Sequence, residues 1–120
     1  MPGTADDEPR FWFWAVFSDG NRERPYRVEF GPPCHGSGSY TRYEGDSAIA
    51  LLRYDRQADP PHRGAHLAAD GRWHTDERPD RNVWRGSDHG EPVTPDQASE
   101  IAAEMGHPPA VLHEALAQDQ

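Results

Sequence analysis

The apolar positions of this chain concentrate near its start before they scatter. Phe11-Trp12-Phe13-Trp14-Ala15-Val16-Phe17 is seven apolar residues without a break, five of them aromatic. A run this short cannot span a bilayer and is too aromatic for a helix. It reads as a strand with both faces covered, in the middle of a sheet. Each aromatic side chain removes roughly 200 Å² from water on burial, about 5 kcal/mol gross. Strand geometry puts Trp12 and Trp14 on one face and Phe11, Phe13, Ala15 and Phe17 on the other. Ser18-Asp19-Gly20-Asn21 then signals a turn, and Tyr26, Val28 and Phe30 alternate with Arg27 and Glu29. Residues 11–30 are therefore predicted to form an antiparallel hairpin.

Further along, Gly31 to Ser39 is too rich in glycine and proline for regular structure, and Tyr40–Glu44 reads as a brief extended segment. Ala48, Leu51 and Leu52 share one helical face behind a capping aspartate, Asp46, so a helix is predicted over about 46–57, lying across the hairpin. Pro60-Pro61 ends it. Residues 62–86 read as a second hairpin, in which Ala65–Ala68 and Arg72–His74 flank the Asp70-Gly71 turn. A short strand at Asn82–Arg85 follows an exposed 75–81 loop, with Trp73 and Trp84 as core anchors. Thr94-Pro95-Asp96-Gln97 is a capping box with proline at the first helical position, opening a helix that stops at Gly106. Residues 109–118 carry Val111, Leu112, Ala115 and Leu116 at helical spacing and predict a short final helix.

The predicted class is α+β: a small antiparallel sheet of two hairpins with two or three helices packed on one face. Residues 1–9, small and acidic, read as a disordered tail, and 10–120 as a single α+β domain. Composition refines this. Only 34% of the 120 residues are hydrophobic, against 11 glycines and 12 prolines, so the core is thin and rests on a few large side chains. The formal charge is −9, which disfavours nonspecific attachment to nucleic acid or an anionic membrane and permits a basic protein partner. All 12 basic residues are arginine, a bias expected of GC-rich bacterial coding and weak evidence for phosphate recognition. One cysteine excludes an internal disulfide, and the acidic N-terminus lacks the positive region of a secretory signal, so a cytoplasmic protein is expected.

Candidate chemistry is sparse. Cys34-His35 is the first place to seek a nucleophile, yet adjacent extended residues point apart and the surroundings are not electropositive. His62 and His66 stand at i, i+4, but the neighbouring prolines and Gly64 argue against a helix there. On a strand, His66 and His74 would face each other across the Asp70-Gly71 turn, with Asp76 or Asp80 beside them. A phosphate loop at Gly36–Ser39 lacks the helix and basic residue that should follow it. No catalytic residue, metal or cofactor is assigned.

What remains is an aromatic surplus. A sheet covered on one side cannot easily bury both faces of residues 11–17, so either the second hairpin folds over the open face or a partner covers it. The expected function is that of a small, acidic, non-catalytic accessory protein, inhibitor or immunity-type, acting through contact with a protein partner or as a homodimer. The interface candidates are Trp12, Trp14, Tyr26, Trp73 and Trp84. The alternative is a small-molecule-binding domain or enzyme with a pocket between sheet and helices, using Arg27, Arg42 or His66.

Overall fold

The computed structural model of the chain describes residues 10–18, 20–31, 38–59, 62–86 and 90–116. Its elements, in order, are β1 (Phe11–Phe17), β2 (Asn21–Phe30), β3 (Gly38–Glu44), β4 (Ala48–Asp55), β5 (Gly64–Leu67), β6 (Trp73–Thr75), α1 (Arg78–Arg85), β7 (Glu91–Val93), α2 (Pro95–Glu104) and a 3₁₀ helix at Pro109–His113. The class is α+β, as the pattern predicts. β1 occupies the interior of a five-stranded antiparallel sheet of order β6-β5-β4-β1-β7, while β2 and β3 pair with each other in a separate two-stranded sheet.

Two expectations are corrected here. β1 does not form a hairpin with β2; it pairs with β4, in register Phe13↔Arg53 and Trp14↔Leu52, and with β7. The segment expected to be a helix over 46–57 is that partner strand. Its apolar run Ala-Ile-Ala-Leu-Leu is fully buried only at Leu51 and Leu52, with Ile49 exposed, and such a run carries no clear helical or strand period of its own. The β5–β6 hairpin does form around the Asp70-Gly71 turn, with His66 opposite His74 and Leu67 opposite Trp73.

Both faces of β1 are consumed internally. On one, Phe11, Phe13 and Ala15 join Leu51, Leu67, Trp73 and Val93 beneath Ala98, Ile101 and Ala102 of α2 and Val111 and Leu112 of the 3₁₀ helix. On the other, Trp14, Leu52 and Tyr54 are covered in part by Val83 of α1. The helices therefore sit on both faces, not one. Residues Asn82–Arg85, expected as a strand, lie in α1, whose proline in the first turn and acidic Asp80 favour a helix start. Gly64 lets β5 approach this helix: a Cβ there would run into the Asp76 carbonyl.

The capping box is formed as predicted. The Thr94 hydroxyl accepts from Gln97 N at 3.2 Å and Gln97 Oε1 accepts from Thr94 N at 2.9 Å. The C-terminal segment is a 3₁₀ helix, not an α-helix, and is pinned from beneath. Arg53, 2% exposed, lies between the rings of Phe11 and Trp73, each 4.4 Å from its guanidinium carbon. Its Nη1 donates to the carbonyls of Leu112 (2.9 Å) and Glu114 (2.7 Å). Trp73 Nε1 adds a bond to Val111 O at 2.7 Å.

Candidate functional site

Helix α1 is short, and its two sides differ. Pro79, Asn82 and Val83 form the i, i+3, i+4 stripe turned toward the sheet, with Pro79 and Asn82 buried. The opposite stripe at the same spacing is Arg81, Trp84 and Arg85, all exposed. Trp84 is 81% exposed, whereas Trp14 and Trp73 are 0% exposed. Arg81 reaches Glu77 at 3.0 Å, an exposed pair of small energetic weight.

The candidate interface residues thus divide. Trp14 and Trp73 are interior and offer no surface to a partner. Trp12 is half-buried, stacked on Tyr54 at 5.9 Å with the Arg56 guanidinium 5.1 Å from its ring centre. Tyr26, on β2, is 47% exposed. Trp84, expected as a core anchor, faces solvent.

The candidate ligand residues do not converge. Arg27 is exposed on β2. Arg42, on β3, lies 4.1 Å over the Phe17 ring and places Nη2 3.1 Å from both Glu104 carboxylate oxygens. Glu104 also accepts from Ala48 N, so this group ties the two-stranded sheet to α2 and β4. His66 stands on β5 with its Nδ1 donating to Asp76 Oδ2 at 2.9 Å, and Asp76 is further held by Arg78. His74 lies beside it, ring centres 5.9 Å apart, with Nε2 3.1 Å from Asp70 Oδ2. The cross-strand histidine pair is thus as the sequence suggested. Its rings are stacked, 30° from parallel, and each is bonded to its own aspartate instead of sharing one. Among the described residues no group of three or more histidine, cysteine or acidic side chains is placed to hold a metal ion. Cys34, His35, Gly36 and Ser37 lie outside the described residues.

Two clefts remain. One, about 330 Å³, opens between sheet and helices and is lined by Arg10, Phe11, Phe13, Pro95 and His113. Arg10 at its rim is held bidentately by Asp55, at 2.9 Å from each oxygen. Burial pushes the Asp55 carboxyl up, but the Arg10 and Gln57 hydrogen bonds outweigh it and hold the group below its usual range.

The other cleft, about 240 Å³, lies where the two-stranded sheet leaves the larger one. Ser18 from the end of β1, Thr41 and Tyr43 from β3, Asp46 from the β3–β4 turn and Glu91 from β7 line it. The sequence pattern does not reveal this grouping, because three distant segments supply it and Asp46 reads there as a helix cap. Burial alone pushes the Glu91 carboxyl above its usual range. A carboxyl raised on folding adds stability below the ordinary glutamate value of 4.5 and loses it as pH rises through the raised value. Charged Glu91 is therefore a burden at neutral pH. Glu91→Gln is expected to raise stability there by a few tenths of a kcal/mol, since solvent still screens the group. The gain should vanish in denaturant melts below the ordinary glutamate range; an equal gain at both pH values would refute it.

Comparisons of the chain with protein-family models, with curated proteins and with solved structures find no match. Among the described residues, no helix is long and apolar enough to cross a membrane. The chain is defined by its α+β architecture, and its function is read from the sites alone.

Proposed function

We propose that the protein is a small, cytoplasmic, non-catalytic binding protein of inhibitor or immunity type that acts through protein contact, with α1 as the contacting element. The observation that carries this reading is the exposed Arg81–Trp84–Arg85 stripe on a helix whose other side is consumed by the sheet. A tryptophan left 81% exposed forgoes several kcal/mol of burial that a partner can supply. Tryptophan and arginine are also the residues most enriched at energetic centres of interfaces. The stripe carries two arginines beside the tryptophan, Arg81 being paired with Glu77, so the complementary surface is an apolar hollow with carboxylate at its edge.

Trp84→Ala tests it. Folding stability should change by less than about 0.5 kcal/mol, because an exposed side chain away from caps and core carries little. The solvent-exposed, readily quenched part of the tryptophan fluorescence should disappear. Binding to a partner isolated from the native host, or self-association measured by sedimentation, should weaken at least tenfold, the scale of an interface centre. Unchanged association in both assays removes α1 from the reading.

The 330 Å³ cleft favours a second reading, a small-molecule site between sheet and helices, at the low end of the size usual for such pockets. Its ligand would be apolar, resting on Phe11 and Phe13. A melting-temperature rise on screening aromatic and aliphatic metabolites supports it, and no shift across a broad screen removes it.

A further inference from the structure

The two-stranded sheet has a long outer rim. Among the described residues β2 pairs with β3 alone. β3 lies on the inner side: Tyr40 is buried, and Thr41 and Tyr43 line the 240 Å³ cleft against β1 and β7. β2 is therefore the outer strand, and its residues 23–27 and 29 are exposed. The first half of β2 is protected in ways usual for sheet edges. Its register with β3 slips between Asn21 and Pro25, and Pro25 has no N–H to donate. From Tyr26 to Phe30 the ladder runs without a break, from Tyr26↔Arg42 to Phe30↔Gly38. Every second residue of that stretch turns its N–H and C=O away from β3. Gln97 Nε2 also reaches the Glu29 carbonyl, but at 3.4 Å, long enough to yield to a ladder bond.

The stretch Tyr26-Arg27-Val28-Glu29-Phe30 complements itself when laid antiparallel on a second copy. With Val28 opposite Val28 of the second copy, Tyr26 falls opposite Phe30 and Arg27 opposite Glu29, and the two-fold axis repeats each pair. Directly opposite residues share a face. One face thus gathers Tyr26, Val28 and Phe30 from both copies. Val28 and Phe30 already pack against the core, while Tyr26 is 47% exposed and gains cover from the facing phenylalanine. The other face carries two Arg27–Glu29 pairs of opposite charge. Moving the axis to Arg27 or to Glu29 sets like charges opposite each other, and a shift of half that size exchanges the faces. The charge pattern therefore selects the register centred on Val28.

We infer that two copies of this chain pair through β2, antiparallel about a two-fold axis at Val28, joining their two-stranded sheets into one of four strands. The contact is isologous and closes on itself. A ladder this short buries little area, so the dimer is of the weak, exchanging kind. Sedimentation equilibrium at neutral pH and low salt, from roughly 10 µM to 1 mM, should show monomer and dimer in exchange. Arg27→Glu sets carboxylates opposite each other at both symmetric places, and Glu29→Arg sets guanidinium groups there. Both side chains are exposed, so each variant should keep its fold. Each should weaken self-association roughly tenfold. Mixed in equal amounts, the two variants regain opposite charges at both places and should associate as tightly as the parent. The double variant Arg27→Glu/Glu29→Arg should do so alone. α1 takes no part in this ladder, so Trp84→Ala should leave the self-association unchanged. A chain that stays monomeric at 1 mM leaves the rim to solvent or to a foreign strand and overturns the inference. So does a dimer indifferent to either charge reversal, or a mixture of the two variants that fails to re-associate. Loss of the dimer in Trp84→Ala would place self-association on α1 and overturn it equally.

Discussion

Trp14→Ala is expected to destabilise the protein by about 3–5 kcal/mol, close to the whole stability of many domains this size. The side chain is 0% exposed and packs with Leu52 and Tyr54 on the α1 side of the sheet. Its neighbours in the cross-sheet row are Leu52 on β4 and Pro92 on β7, whose side chains are too small to fill the space an indole leaves. The loss therefore contains both a transfer term and a residual cavity. Denaturant melts should show an earlier midpoint with an unchanged slope. The matched comparison is Trp84→Ala, the same chemical change on the same side of the sheet with almost no cost. If both variants lose the same stability, the division of the tryptophans into interior and surface is wrong.

Arg53→Ala is expected to cost a further-reaching but comparable amount, about 3–4 kcal/mol. It removes two charge-assisted bonds to Leu112 O and Glu114 O and empties the slot between Phe11 and Trp73. The opposing term is visible too. Burial, followed by the nearby positive Arg10, lowers the Arg53 pKa to about 10 against the help of Asp55. A base with a folded pKa below its unfolded one opposes folding wherever it is charged, and relief begins only as pH climbs through about 10. Arg53→Met keeps most of the packing and abolishes that penalty, so it should cost clearly less than the alanine change. Hydrogen exchange separates the contributions: both variants should lose protection in the 3₁₀ helix, and the alanine variant in β1 and β4 as well. Full protection of the 3₁₀ helix in Arg53→Met would show that the guanidinium bonds do not hold it.

Local signals in the sequence proved informative where chemistry is local. The Thr94 capping box, the Asp70-Gly71 hairpin and the two-faced β1 are set by residues within a few positions of one another. The partner of β1 was not legible, because the turn at Ser18–Asn21 looked sufficient for a hairpin and nothing local specifies a strand thirty residues onward. Ala48–Leu52 has good helix formers and no alternation, so its strand state is imposed by the sheet it joins. At Arg78–Arg85 the aromatic and β-branched pair Val83-Trp84 suggested a strand. The better cue was Pro79 at the helix start with Gly86 just beyond its end. Burial of an arginine at position 53 had no sequence signal at all. The cleft around Asp46 and Glu91 was equally silent, since its walls come from segments that meet only after the two sheets pack.

The brevity of its outer strands limits how copies of this molecule can meet at the five-stranded sheet. β6 and β7, the rims of the five-stranded sheet, are three residues each; β7 contains Pro92, and β6 is bridged by Leu116. Rims this truncated offer almost no ladder for a foreign strand to continue, and a proline withholds one of the few amides left. Strand addition to the five-stranded sheet is thereby discouraged despite the fibre-prone look of the Phe11–Phe17 ribbon, which is fenced in on either flank.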